Sequence, residues 1–351
     1  MLVQLQYLRA IAALMVVYFH AILQLRNVQP DALLSGALFG KSGVDLFFVL
    51  SGFVMWITTA DKAIGAREFY TRRIIRIVPL YWALSLLAAA VALIVPSILK
   101  STVFDLPHVV ATLLFLPWVN PADPAGIMIA PVIVPGWTLN YEMYFYLLFG
   151  ALLGLSKAIR PYALAGLLLV IFILCKLLPQ DVTAARFYGD SVIFEFVLGV
   201  FIGKLYLDGR RLEGTVAWPI IAVAGAVMVY NDWMEWDVPR LFSVGLPAAI
   251  VVAGVALVDF SRKPVIGWLN HLGDASFSLY LSHIFVLAGA RMIYAKLPFE
   301  WMRNEVLFVL LCLVASSVAA VLLHNLFEKP LDRFLRNRRR PAVHLSPTGS
   351  A

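Results

Sequence analysis

Eleven runs of apolar residues divide the chain, near Leu8–Leu25, Val44–Thr59, Ile77–Ile98, Leu106–Val119, Trp137–Leu155, Tyr162–Leu178, Ser191–Leu207, Thr215–Tyr230, Leu241–Val258, Phe277–Tyr294 and Val306–Phe327. A helix needs about 20 mainly apolar residues to cross a bilayer, and a half-buried strand alternates apolar with polar positions. The runs have the helical length and lack the alternation, so they predict a polytopic all-α membrane protein and not an outer-membrane barrel. No connection between them is long enough to form a soluble domain. Any chemistry must therefore sit in or at the membrane.

Composition agrees. Of 351 residues, 62% are apolar and 14% charged, against about 45–50% and about 25% in soluble domains. The mean hydropathy is +0.86. The many Phe, Tyr and Trp suit aromatic belts at two interfaces. The first run has no basic lead and no A-x-A site, which reads as a retained span and not a signal peptide. Cys175 and Cys312 lie inside apolar runs, with no CxxC pattern, so neither a disulfide framework nor a metal site is expected.

A net charge of +7 suggests nucleic acid in a soluble protein, but here the positions of the cations decide. The connection Asn120–Gly136 has no Lys or Arg, whereas Lys62, Arg67, Arg72, Arg73 and Arg76 crowd the one after the second run. If the fourth run crossed, the charge-free connection would face the cytoplasm. Leu106–Val119 is therefore expected to be a short re-entrant or interfacial helix, leaving ten transmembrane helices and both termini cytoplasmic. That arrangement puts 18 basic residues inside and nine outside, with Arg9 within the first span. Residues 1–328 are expected to form the transmembrane domain, and 329–351 a basic, disordered cytoplasmic tail. The cations then orient helices and meet membrane lipids; no nucleic acid is expected.

An ionisable side chain inside a span is costly and marks function by default. Arg9 and His20, eleven residues apart, return to within about 20° of one helix face and lie about 16 Å apart along the axis. Arg73 and Arg76 stand at i,i+3 on the cytoplasmic side, spaced to offer two guanidinium forks to one polyanion. Glu142, beside Tyr141, lies about as deep as His20, where a carboxylate could fix an imidazole's tautomer. Asp45 is expected at the outer mouth and Ser51 mid-span. His283 lies deeper in its own span, and Glu328 at the cytoplasmic end of the last run, within reach of the arginines. Glu195 and His324 have no assigned place. Gly36–Ser42 resembles a phosphate loop but is one residue short and on the outer side; no GxGxxG, HExxH or GxSxG occurs.

These residues together resemble a known family. Arg9 and His20 separated by ten residues, GVDLFFVLSGFV from Gly43, FYTRRIIRIVPLYW from Phe69, PGWTLNYEMYFY from Pro135, GDASFSLYLSH from Gly273 and FEKP from Phe327 are similar to the motifs of the membrane-bound acyltransferase family 3. The nearest likeness within it is to stand-alone exopolysaccharide-production acyltransferases. The resemblance implies ten spans in a bacterial inner membrane, a cytosolic acyl-CoA donor, acetyl-CoA by default, and transfer to a carbohydrate hydroxyl on the outer face. The acceptor would be an exopolysaccharide or lipid-linked oligosaccharide, with polysaccharide-synthesis proteins as partners. It also makes the Arg9/His20 and Arg73/Arg76 pairs the functional ones.

The combined expectation gives His20 the role of general base or transient acyl carrier, with Glu142 orienting it. Arg73 and Arg76, with Arg9 and neighbouring Arg72, would hold the donor's phosphates; Asp45, Ser51, Tyr141, His283 and Glu328 would support substrate or site. Two other readings remain open from sequence: a transporter or flippase of lipid-linked saccharide, which consumes no acyl-CoA, and a scaffold indifferent to these residues.

Overall fold

The computed structural model describes residues 2–234, 238–259, 265–298 and 303–337. Among these residues the chain is helical, with two isolated bridges and no strand. In order the helices are α1 (Val3–Arg26), α2 (Gly43–Thr59), α3 (Ala66–Ile94), α4 (Leu106–Leu113), α5 (Trp137–Ala151), α6 (Arg160–Leu177), α7 (Thr183–Tyr188), α8 (Ile193–Leu207), α9 (Gly214–Met234), α10 (Leu246–Leu257), α11 (Gly267–Asp274), α12 (Ser276–Ala295), α13 (Glu305–Leu323) and α14 (Lys329–Asn337).

Every apolar run forms a helix. By length and composition α1, α3, α6, α9, α12 and α13 are long and apolar enough to cross a membrane. Gly43–Thr59 and Leu241–Leu257 are shorter apolar helices, as are the 15-residue α5 and α8. The fourth run yields only eight helical residues in α4, about 12 Å of rise, which is too short to cross. Pro107 starts α4 and the Asp105 carboxylate caps it, accepting from the His108 amide at 2.7 Å. The chain then leaves through Phe115 at φ 57° into a loop folded around Asp123. Amides of Met128 and Ile127 donate to that carboxylate and hold its pKa below the ordinary value.

Two features depart from the sequence expectation. Residues 329–337, expected in the disordered tail, form α14, because a π turn over His324–Glu328 carries α13 onward without a break; residues 338–351 lie outside the described residues. The amphipathic segments α7 and α11 are also helical, although neither is apolar enough to stand out by hydropathy.

α1 is an inner helix, touching α2, α10, α11, α12 and α13, whereas α6 and α9 are mostly exposed and apolar at the rim. α2 lies against α8 at short range because both present glycines. A Cβ at Gly52 would meet the Phe196 carbonyl, and one at Gly199 the Val49 carbonyl. With no hydrophobic drive between helices in lipid, such close backbone approach supplies much of the association.

Polar contacts between distant segments sort into two ends. At the start of α1, the Ile266 amide donates to the Tyr7 hydroxyl at 2.6 Å, Lys157 meets Asp61 at 2.6 Å, and Gln6 donates to Asp274. At its far end, Tyr294 donates to Gln29 at 2.8 Å, Arg291 to the Ile98 carbonyl at 2.8 Å, and the Gly40 amide to Asp232 at 2.8 Å. This is the sorting that helices of alternating direction require. Replacing Gly199 with valine should force α2 and α8 apart and destabilise the protein by about 1–3 kcal/mol, read as a lower melting temperature in detergent; an unchanged melt would refute the close packing.

Candidate active site

The early turns of α1, α3, α5 and α12, with much of α2, enclose a cavity of about 120 Å³. Arg9, Arg73, Arg76, Ser51, Glu142, Tyr146 and Ser276 supply its polar wall, and Thr138 and Tyr280 continue it toward the far end of the bundle. Arg73 and Arg76 both face it, as the i,i+3 spacing predicts, with Arg76 exposed at the mouth. Arg73 is held deeper, its guanidinium 5.7 Å from the ring centroids of both Phe69 and Tyr146. Arg9 lines the same cavity and accepts company from Gln6, to which it donates at 3.3 Å.

Arg72 does not join them. One residue's turn, about 100°, points it to the surface, where it pairs with Glu68. Glu142 also departs from expectation. Its carboxylate accepts from Ser51 Oγ at 2.9 Å and from Tyr146 Oη, with electrostatic reach to Arg9 and Arg73. It is a counter-charge inside the arginine cavity and not the partner of His20. Ser51 thus belongs to the site through Glu142.

The partner of His20 is His283. His283 Nε2 lies 3.4 Å from His20 Nδ1, with ring centroids 5.0 Å apart. Each imidazole also reaches the carbonyl four residues back: His20 Nδ1 to Val16 O at 2.9 Å, and His283 Nδ1 to Leu279 O at 3.2 Å. A carbonyl only accepts, so both Nδ1 atoms carry the proton. His283 Nε2 is then a bare lone pair facing the His20 N–H, and His20 Nε2 is left basic, with no partner among the described residues. An imidazolium formed at His20 would strengthen both bonds from its Nδ1–H. His283 is fully buried and His20 half-buried.

The cavity and the histidines meet at Tyr280. Its hydroxyl donates to the Pro135 carbonyl at 2.7 Å and accepts from Thr138 Oγ1 at 3.0 Å, its ring packs edge-on to Phe47, and its centroid is 6.2 Å from that of His283. Arginines, Glu142, Tyr280, His283 and His20 thus form one line through the bundle.

The remaining expected residues are placed as follows. Asp45 is not at an open mouth: it is wholly buried and takes a two-pronged contact from Arg240, at 2.9 Å to each oxygen, with Arg240 over Trp137. Glu195 is buried beside this pair. Tyr141 is structural; its hydroxyl donates to the Phe187 carbonyl at 2.6 Å and its ring stacks on Phe187. Glu328 accepts from Ser278 Oγ at 2.5 Å and from His324 Nδ1 at 3.0 Å, within electrostatic reach of Arg76 and Arg9. Among the described residues no group of His, Cys, Asp or Glu could hold a metal ion. Tyr146 and Tyr280 escaped the sequence reading, although Tyr146 follows Glu142 by four residues and Tyr280 precedes His283 by three, spacings that share a helix face.

Comparison with known proteins covers almost the whole chain. The acyltransferase-3 family model, described as an acyltransferase domain, matches residues 2–325. The exopolysaccharide production protein ExoZ of Rhizobium meliloti is 31% identical over 304 residues, 86% of this chain and 92% of that protein. The acyltransferase MdmB of Streptomyces mycarofaciens is 29% identical over 349 residues, 89% of this chain and 86% of that one. No solved structure matches. With a family model spanning the helices that build the cavity and the histidine pair, the chain belongs to the acyltransferase-3 family.

Proposed function

We propose that the protein is an O-acyltransferase that takes an acyl group, acetyl by default, from cytosolic acyl-CoA. It passes the group to a hydroxyl of an exopolysaccharide or lipid-linked sugar at the outer face of a bacterial inner membrane. The observation that carries this reading is the line from an arginine-rich mouth to a basic imidazole nitrogen at the other end of the bundle. A transporter needs polar groups along its path but no poised base at one end. The family match and the similarity to an exopolysaccharide production protein support the carbohydrate acceptor.

The topology is part of the proposal. Ten helices cross, α4 lies at the outer interface, and the mouth with Arg76 faces the cytoplasm. The two-ended sorting of polar contacts and the Lys/Arg excess on that side support it.

In the reaction, Arg76 and Arg73 hold the donor's phosphates, with Arg9 further in. Glu142 keeps the cavity from repelling itself while empty, bound to Ser51 and Tyr146. The acyl thioester reaches His20 past Tyr280. His20 Nε2 removes the proton from the acceptor hydroxyl as its oxygen attacks the thioester carbonyl; the C–S bond breaks, and the thiolate leaves with the proton His20 took up. His283 positions His20, holding Nδ1–H so that Nε2 stays basic, the role the sequence reading gave to a carboxylate.

Three outcomes follow from these assignments. Acceptor-dependent thiol release from acetyl-CoA by the purified protein should disappear in His20→Ala; wild-type acylation of the cell's exopolysaccharide by that variant, seen by mass spectrometry, would refute the reading. His283→Ala should lower kcat about 10- to 100-fold with the donor KM unchanged, and His283→Asn, which can still present an acceptor oxygen, should recover most of it. Arg73→Gln should raise the KM for acetyl-CoA about tenfold, a loss of about 1.4 kcal/mol, whereas Arg72→Gln should leave it unchanged. Equal effects at the two arginines would overturn the geometry.

A further inference from the structure

The C-terminal helix α14 is the feature that the proposed reaction does not use. It begins just beyond the residues matched by the family model, which end at 325. The π turn His324–Glu328 leads straight into it, and it packs against α3. Glu328, the last residue before α14, is in electrostatic reach of Arg76 and Arg9, both of which line the cavity. The first turn of α14 therefore sits at the arginine mouth.

α14 is two-faced. Lys329, Arg333 and Arg336 fall within about 60° of one another around its axis, and Leu331 and Leu335 lie on the opposite side. The leucines are half-buried and the three cations exposed. Arg336 is neutralised by Asp332 at 2.8 Å, just as Arg72 is by Glu68 on α3. Lys329 and Arg333 have no salt-bridge partner among the described residues, and Arg76 has only the longer electrostatic reach of Glu328. Two unpaired cations on a helix whose first turn adjoins Arg76 offer a site for a multiply charged anion.

The cavity behind the mouth says which part of a donor remains outside. About 120 Å³ is less than the about 300–1,000 Å³ of pockets that enclose a drug-sized ligand. It admits a slender arm and not a nucleotide. His20 stands about 16 Å further along α1 than Arg9, so the arm is needed along that whole length.

We propose that the cationic face of α14, through Lys329 and Arg333, forms with Arg76 the rim that binds the phosphorylated adenosine end of the donor. The proposal rests on the acyl-CoA reading above and extends it to the C-terminal helix. The helix acts as a clamp on the nucleotide end, while Arg73 holds the pyrophosphate from which the arm threads inward past Arg9.

The test compares donors that differ only at that end. Full-length protein and the variant Lys329→Gln/Arg333→Gln, which keeps good helix formers and the Asp332–Arg336 pair, are assayed in neutral-lipid nanodiscs with acetyl-CoA and with acetyl-pantetheine. The variant should show a donor KM about tenfold higher for acetyl-CoA, the same kcat, and unchanged kinetics with acetyl-pantetheine. Unchanged KM for acetyl-CoA, or an equal rise for both donors, overturns the proposal. A defect that appears for both donors and only in discs containing anionic lipid also overturns it, assigning the cations to lipid headgroups. If neither donor is consumed by the wild type, the acyl-transfer reading fails, and calorimetry with adenosine 3′,5′-bisphosphate still decides the rim. Binding weakened about tenfold in the variant upholds it; equal binding by both proteins, or none by either, refutes it.

Discussion

α1 carries a guanidinium and an imidazole down one face, and neither can be left against lipid. Burying that face requires other helices to surround it, and the fold is the means by which they do. α2, α11, α12 and α13 all touch α1, and two of them return polar side chains to it: Asp274 at Gln6 and His283 at His20. The tight glycine packing of α2 on α8 sits one layer out and holds α2 where its Ser51 can bond Glu142. In hydrocarbon a polar group without a partner costs several kcal/mol, so the polar groups choose their neighbours first and the apolar surface adapts.

The result is a division of labour by charge. One half of the line through the bundle is ionic, with three arginines tempered by Glu142 and Glu328. The other half is neutral, with two imidazoles whose protons are fixed by carbonyls of their own helices. A carboxylate beside His20 would pull the arginines' field toward the histidine half and raise the cost of desolvation there. An imidazole supplies the same orienting lone pair with no net charge. The buried Asp45–Arg240 pair stays outside this line and ties α2 to the segment before α10.

The sequence made the helices legible because each buries or exposes a long apolar run, and hydropathy alone finds those. It also exposed Arg9, His20, Arg73 and Arg76, since charge in an apolar context and helical spacing are both one-dimensional signals. What it could not display is which helix lies beside which. Glu142 and His20 are at similar depth, and depth was the only coordinate the sequence offered; around the bundle they face different neighbours. His283 stood in plain sight but had no sequence-local reason to be chosen over Glu142. α14 was hidden for a different reason: its cations resemble a solvated tail, and only the π turn that continues α13 into it makes the segment ordered.

Tyr280 has a wider consequence. A file of polar side chains open at both ends of a membrane protein would conduct ions and dissipate the gradient the cell maintains across that membrane. Here the file is interrupted by a tyrosine ring, anchored by its hydroxyl to a proline carbonyl and a threonine and braced by Phe47. For the two-sided reaction proposed above, such a layer would let the protein meet a molecule from each side without becoming a leak.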